Sequence, residues 1–265
     1  MYSKEDIKRQ LEKIGAERDM LVTVHISLRS VGEVEGGGEG LLDAMIEYFD
    51  RGLLVIPTHT WKNLGKDKIT LDMTSPWSNL GAFSIISASD TRGIRSENPT
   101  HSVVVFGDRS RALDFIGDEG KINTPTAPEG CYGKMYLGGG KVLLIGVSHN
   151  SNTFLHCVDE ILKTENRMGN KPIKTTVKSD TGEISERQIY LYDTDYTDDI
   201  SWRFHKFETA FRYRGAVNDG WIGDAPAQLC DCVGMKETVE LIYERAEGFD
   251  PLSDERQLLP RWYVR

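Results

Sequence analysis

Two short apolar segments that flank an amphipathic helix constrain the fold more than any other feature of the sequence. MLVTVH (20–25) and LLVIPT (53–58) have the length and composition of buried strands, and EGLLDAMIEYFD (39–50) between them has apolar residues at helical spacing. A strand–helix–strand unit of this kind builds parallel sheets. KVLLIGV (141–147) is a third such segment. The sequence therefore predicts an α/β fold with a central, mostly parallel sheet in a layered sandwich.

The rest of the chain predicts further helices, one more strand and a hairpin. Ser3 is the predicted N-cap of a helix over 3–15, with Asp6 at its third position. IKTTVKSDTGEISERQIYLY (173–192) alternates around a central Asp-Thr-Gly, which predicts a β-hairpin. Because no linker interrupts the chain, we expect a single domain over 1–265, with the hairpin as an insertion or cap. The other predicted elements are helices over 79–90, 109–117, 152–165, 201–213 and 235–247, and a strand over 102–107.

Composition argues against several classes of function. The net charge of −9 disfavours a nucleic-acid partner, which needs a basic face, and is compatible with a polycationic substrate. No apolar run reaches 18 residues, and MYSKEDIKRQLEKIG is charged where a secretory leader is apolar, so we expect a cytoplasmic protein without a membrane span. The six histidines form no HExxH set, so no metal site is expected. Free thiols are expected for the four cysteines, which lack CxxC or zinc-like spacing: Cys131, Cys157, Cys230 and Cys232.

Two polar loops next to predicted strands are candidate ligand sites, because ligands in open α/β sheets bind beyond the carboxyl ends of the strands. The first, HISLRSVGEVEGGGEG (25–40), combines serines, Arg29 and three glycines before a helix, and these supply donors for an anion. A tight turn with a surface arginine would have the same residues. The second, RSENPTHSV (95–103), is either part of the same site or a rigid loop that leads into a strand.

A third loop contains a candidate general base. His156 in NTFLHCVDE (152–160) precedes Asp159 by three residues and Glu160 by four, so both acids neighbour it on a helix. A carboxylate beside a histidine fixes its tautomer and stabilises the imidazolium that forms when it accepts a proton. A surface histidine with an incidental acidic neighbour is the alternative.

The order of these segments resembles the aminoglycoside 3-N-acetyltransferase (antibiotic N-acetyltransferase) family. HISLRSVG, EGGGEGLLDAM, GLLVIPTHT, RSENPTHSVVVFG and GGKVLLIGVSHNSNTFLHCVDE carry the resemblance from about residue 5 to 160, and it continues more weakly to about 247. It implies that family's own α/β fold, distinct from the GNAT fold, and acetyl-CoA as co-substrate. Glu33 and His59 depart from the family pattern, which bears on the choice of acceptor. The coenzyme-binding residues that the resemblance implies are Ser27, Leu28, Arg29, Ser30, Val31, Gly32, Arg95, Ser96, His101, Ser102 and Val103.

The resemblance also implies the catalytic residues. His156 matches the family's catalytic histidine, Thr153 a neighbouring hydroxyl that would stabilise the tetrahedral intermediate, and Asp159 or Glu208 an acidic partner. The implied reaction is direct acetyl transfer to the 3-amino group of a 2-deoxystreptamine aminoglycoside, which confers antibiotic resistance. The residues expected at the cationic acceptor are Trp61, Asp72 and Glu160.

Three alternatives to this reaction stay open. The acceptor is a different amine, or the chain binds CoA without catalysis and has no need of His156. An acyl-enzyme on Cys157 is disfavoured, because adjacent residues on a helix do not face each other. The sequence carries no signal of an oligomeric state.

Overall fold

The computed structural model describes residues 1–65, 68–196, 198–253 and 257–264. The helices of these ranges are α1 (Lys4–Lys13), α2 (Gly37–Tyr48), α3 (Ala82–Ser89), α4 (Arg109–Ile116), α5 (Cys131–Leu137), α6 (Phe154–Leu162), α7 (Glu208–Tyr213) and α8 (Cys232–Arg245). The strands are β1 (Leu21–Ile26), β2 (Leu53–Pro57), β3 (Leu71–Asp72), β4 (Ile94–Arg95), β5 (Val103–Gly107), β6 (Lys141–Ile145), β7 (Ile173–Lys178), β8 (Ile184–Ile189), β9 (Val217–Ile222) and β10 (Ala225–Asp231).

Seven of the described strands form one sheet in the order β4-β5-β2-β1-β6-β10-β9. The three apolar segments of the sequence form its centre, where β1 pairs in parallel with both β2 and β6. The predicted central parallel sheet is therefore confirmed. The outer strands β5, β4, β10 and β9 each pair antiparallel with their neighbours, so five of the seven strands still run in the same direction.

The central strands are apolar throughout because both faces of the sheet are covered by helices. Leu53 and Val55 belong to the core cluster on one face, which also includes residues of α4 to α8. Leu54 and Ile56 belong to the cluster on the other face, together with residues of α1 to α3. One sheet between two helical layers is the layered single domain that the strand pattern predicts.

The predicted hairpin is confirmed, and it is part of a second, three-stranded sheet. β7 and β8 pair antiparallel from Ile173↔Ile189 to Lys178↔Ile184. The short strand β3 lies beside β7, and Asp72 of β3 is 3.1 Å from Lys178 Nζ. The Asp72 carboxylate also accepts a hydrogen bond from the hydroxyl of Thr74, just after β3, so two neighbouring side chains bind it. The acceptor-site role expected for Asp72 stays a prediction.

Several predicted helices are confirmed with shifted ends. Ser3 caps α1 in a capping box with Asp6. The helix predicted over 201–213 is instead a 3-10 helix (Ile200–Phe207) followed by α7. The sequence pattern does not predict strands β9 and β10. Within the described ranges, no helix has the length and apolar character needed to cross a membrane.

Candidate active site

A large cleft opens where the central parallel strands end. Its volume is about 550 Å³, and it is lined by the ends of β1 and β2 and by the loop between β6 and α6. This is the edge at which open α/β sheets bind ligands. Two tryptophans, Trp61 and Trp202, line it with exposed side chains. The histidines that line it are His25, His59, His101 and His156.

His156 lies in the first turns of α6 and is 8% exposed. Its imidazole stacks on the Tyr192 ring, with centroids 4.1 Å apart and an interplanar angle of 11°, and meets the Phe204 ring edge-on at 4.9 Å. Burial lowers the pKa of His156 to about 4, although the Asp199 carboxylate acts in the opposite direction. The ring is therefore neutral at physiological pH, as a proton acceptor must be. Thr153, at the start of the same helix, lines the large cleft beside it.

A second cleft is also lined by His156, and we call it the acidic cleft. Its volume is about 370 Å³, and it contains three aspartates and several aromatic rings. Trp61, His101, His156 and Asp199 line both this cleft and the large one. The aspartates are Asp193, Asp198 and Asp199, and the aromatic residues include Trp61, Tyr192 and Tyr196.

The predicted pair between His156 and a carboxylate is not formed. Among the described residues, no group hydrogen bonds to the His156 ring. Asp159 instead lies 3.4 Å from the buried guanidinium of Arg167 and accepts a hydrogen bond from the Tyr243 hydroxyl at 3.3 Å. A buried cation is a stronger partner for a buried carboxylate than a neutral imidazole is. Desolvation nevertheless outweighs Arg167 and raises the pKa of Asp159 to about 6.

The other two predicted acids also bind elsewhere. Glu160 accepts hydrogen bonds from Thr124 and from both the backbone and the hydroxyl of Thr126. Glu208 accepts from Arg212 at 2.9 Å and from Gln228 at 3.0 Å. Neither carboxylate reaches His156, and Glu160 does not line the acidic cleft in which we expected the acceptor.

The aspartates of the acidic cleft were missed because they carry no motif. They come from DTDYTDD (193–199), a dense acidic run after the hairpin. The high density of acidic residues was the one available signal, because the local sequence pattern does not show that this run packs against His156.

The first predicted loop lies at the edge of the large cleft. Ile26 lines the cleft, and Leu28–Val31 form a 3-10 helix. The hydroxyl of Ser27, just before this helix, lies 2.7 Å from the hydroxyl of Ser30 within it. Val31 is fully buried, so its side chain cannot contact a ligand. Leu28 packs against the core cluster on the α1–α3 face. For the remaining residues of this loop, the coenzyme-binding role stays a prediction: Ser27, Arg29, Ser30 and Gly32.

Most residues of the second predicted loop make contacts within the protein, and their coenzyme-binding role stays a prediction. Arg95 donates to the backbone oxygens of Ser75 and Thr58 at 2.7 and 2.9 Å, so its guanidinium binds segments on both sides of β3. His101 alone of this set lines the large cleft, with its ring centroid 4.3 Å from that of His59. The side chains that are wholly buried, and so cannot contact a ligand, are those of Ser96, Ser102 and Val103.

The acyl-enzyme alternative is disfavoured by burial. Cys157 is fully buried, and burial raises the pKa of its thiol well above the usual value, so it is not a nucleophile in this structure. The other three cysteines are also buried free thiols. In the described part of the chain, no three histidine, cysteine or acidic side chains are placed to hold a metal ion.

Residues 23–244 match the family described as aminoglycoside 3-N-acetyltransferase. The chain belongs to this family. Because the members of this family are acyltransferases, this chain is an acyltransferase, and acetyl-CoA is its co-substrate. Its fold is the antibiotic N-acetyltransferase fold and not the GNAT fold, as the sequence pattern implies.

Curated relatives and solved structures agree with this assignment. The aminoglycoside N(3)-acetyltransferase III of Salmonella sp is 23% identical over 98% of both chains. The SPbeta prophage-derived aminoglycoside N(3')-acetyltransferase-like protein YokD of Bacillus subtilis is 24% identical over 59% of this chain, and the match spans 64% of that relative's length. The structure of apo AAC(3)-IVa, at 23% identity, has a TM-score of 0.76 over 97% of this chain and 98% of that one. AAC-IIIb, solved as a binary complex with CoASH, has a TM-score of 0.76 at 20% identity over 92% and 97%.

Proposed function

We propose that this chain transfers the acetyl group of acetyl-CoA directly to an amine of a polycationic aminoglycoside, with His156 as general base. One observation carries the proposal. His156 lines both the large cleft and the acidic cleft, so it lies where a thioester in one would meet an amine in the other. Acetyl-CoA is the co-substrate of the family, and the related enzyme AAC-IIIb binds CoASH.

The two clefts differ in the ligand that they suit. The large cleft has the greater volume and combines the apolar residues Ile26 and Ile56 at the ends of β1 and β2 with amide and hydroxyl groups of the loop before α6, which suits a pantetheine arm. The acidic cleft offers three carboxylates, of which Asp198 is paired with Arg203, together with the exposed ring of Trp61, which suits a sugar with several ammonium groups. A structure of AAC(3)-IVa carries apramycin, which belongs to this chemical class.

The reaction balances without a covalent enzyme intermediate. The amine lone pair attacks the thioester carbonyl carbon, a C–N bond forms, and the carbonyl oxygen gains negative charge. His156 accepts the proton from the attacking nitrogen, the C–S bond breaks, and the CoA thiolate leaves. The imidazolium then protonates that thiolate, which gives CoASH, the N-acetyl product and a neutral His156. The hydroxyl of Thr153, which lines the large cleft, is the proposed donor to the oxyanion.

The low pKa of His156 fits this role. Its burial keeps the imidazole free to accept a proton at neutral pH. A weak base is sufficient for the proton that it removes, because an attacking nitrogen bonded to the tetrahedral carbon is far more acidic than a free ammonium ion. The proposal also includes a cytoplasmic location, where acetyl-CoA is available and thiols stay reduced.

A thiol-release assay tests the proposal most directly. With acetyl-CoA and a panel of 2-deoxystreptamine aminoglycosides, we expect acceptor-dependent release of CoASH and a product acetylated at the 3-amino group by mass and NMR analysis. Simple amines without the sugar scaffold should be poor acceptors, because they cannot fill the acidic cleft. Turnover of simple amines with none of the aminoglycosides would support a different acceptor, and CoA binding without any turnover would support a non-catalytic protein.

We further expect Asp193→Asn and Asp199→Asn each to raise KM for a polycationic acceptor. Both carboxylates are exposed in the acidic cleft, so the loss of one charge should raise KM about 3-fold, the effect of an exposed ion pair. The KM for acetyl-CoA should not change in Asp193→Asn, because Asp193 lines the acidic cleft and not the large one. Asp180→Asn, in the hairpin turn and outside both clefts, is the matched control. Unchanged acceptor KM in both cleft variants would place the acceptor elsewhere.

A further inference from the structure

Tyr192 lies between two histidines of the candidate site. Its ring is parallel to His156 at a centroid distance of 4.1 Å, and it meets the His101 ring at 5.8 Å and 85°. Tyr192 itself follows the hairpin, and a single β-bridge pairs its backbone with Met168. The resemblance to the family assigned no role to this residue.

The hydroxyl end of Tyr192 is anchored to the helix that carries His156. Its oxygen lies 2.5 Å from the Thr126 hydroxyl and 3.5 Å from Oε1 of Glu160. Glu160 belongs to α6, one turn after His156, and its carboxylate also accepts hydrogen bonds from Thr126 at 2.7 and 3.1 Å. The ring therefore contacts α6 twice, through its face at His156 and through its hydroxyl at the Thr126–Glu160 pair.

The site provides only part of what usually stabilises a catalytic imidazolium, because Asp199 attracts a charged His156 without a hydrogen bond to it. None of the described carboxylates hydrogen bonds to His156, because Asp159 is paired with Arg167 and Glu160 with Thr124 and Thr126. Stacking on the face of an aromatic ring is a second way to stabilise a cation, and it is strongest where water is excluded. The parallel contact with Tyr192 provides that arrangement at a ring that is 8% exposed.

We propose that Tyr192 is a positioning residue for His156: it fixes the imidazole plane and stabilises the imidazolium that forms as the amine loses its proton. This inference rests on the proposed function, in which His156 is the base. Glu160 and Thr126 contribute only indirectly, because they bind the tyrosine and not the histidine.

The test compares Tyr192→Phe with Tyr192→Leu in the full-length protein. The phenylalanine variant keeps the ring and should retain most of the turnover. The leucine variant removes the ring, and kcat at saturating substrates should fall about 10-fold, the change expected for a desolvated cation–π contact. The KM for acetyl-CoA should stay the same in both variants, and circular dichroism should show both folded.

A double-mutant cycle with His156→Ala separates this role from a structural one. If Tyr192 acts through His156, Tyr192→Leu should not lower the residual rate of His156→Ala any further. A further fall of about 10-fold in that background would overturn the inference, as would a leucine variant with normal kcat and a raised acceptor KM. Full activity of His156→Ala alone would instead overturn the proposed function, so the two failures are distinguishable.

Discussion

His156→Ala should lower kcat by about 10²–10⁴-fold, the range for removal of a positioned general base. His156 is one of the four residues that line both clefts, and burial keeps it neutral. Its loss should leave acetyl-CoA binding nearly intact, because the large cleft is lined by many other groups. Thiol release at saturating substrates gives kcat, and calorimetry with CoASH gives the affinity.

His205→Ala is the matched control for this variant. His205 is exposed on the 3-10 helix that follows Asp199, and its ring contacts the Trp202 carbonyl oxygen at 2.8 Å and not the cleft. Its replacement should leave kcat unchanged. A His156→Ala enzyme that retains most of its turnover would rule out the general-base role, and labelled acetyl found on a protein side chain would rule out direct transfer.

The strands and helices of the sheet centre were predictable because their signals are local. Val22 and Val24 of β1, and Leu53 to Ile56 of β2, are buried by layers on both faces, so their segments are apolar without interruption. The same reasoning failed for β9 and β10. VNDGWI has a polar and glycine-containing pattern, and APAQLCD contains Pro226, which usually argues against an internal strand. Pro226 is tolerated because it lies one residue before Ala227, the first residue of β10 that pairs with β6.

The candidate site was predictable only in part, because only some of its residues carry a local sequence signal. The position of His156 follows from a local pattern, but its neighbours do not. Tyr192 and Asp199 come from more than 30 residues further along the chain, and only the tertiary fold brings them to α6. Helical spacing made Asp159 a plausible partner for His156, but the tertiary fold places its carboxylate 3.4 Å from the guanidinium of Arg167 instead.

Five of the six histidines are buried, and this predicts a steep loss of stability in mild acid. Desolvation lowers the pKa of His25, His149 and His156 to about 4, that of His101 to about 3, and that of His59 well below its usual value. In the unfolded chain each returns to about 6.5. As the pH falls through about 6.5, the unfolded state therefore gains protons that the folded state does not, and folding loses free energy until the folded pKa values are reached.

Three buried carboxyl groups have the opposite effect on the stability of the fold as the pH falls. Burial raises the pKa of Asp159 to about 6 and those of Glu119 and Glu160 above their usual values. A folded carboxyl with a raised pKa takes up its proton before the unfolded one does, which stabilises the fold as the pH falls from about 6 toward 4. Five histidines against at most three carboxyls leave a net excess of about two protons on the unfolded state.

We therefore expect the free energy of unfolding to fall by about 3 kcal/mol per pH unit between about pH 6 and 4, because each proton contributes about 1.4 kcal/mol per unit. Over two units this loss is comparable to the whole stability of a typical domain, so the protein should unfold near about pH 4. Denaturant titrations from about pH 7.5 to 4.5 measure the slope. His149→Gln, which removes one buried histidine outside both clefts, should lower the slope by about one proton, whereas the exposed-site change His205→Gln should not. A stability that stays constant from about pH 7 to 5 would show that these histidines keep ordinary pKa values in the fold.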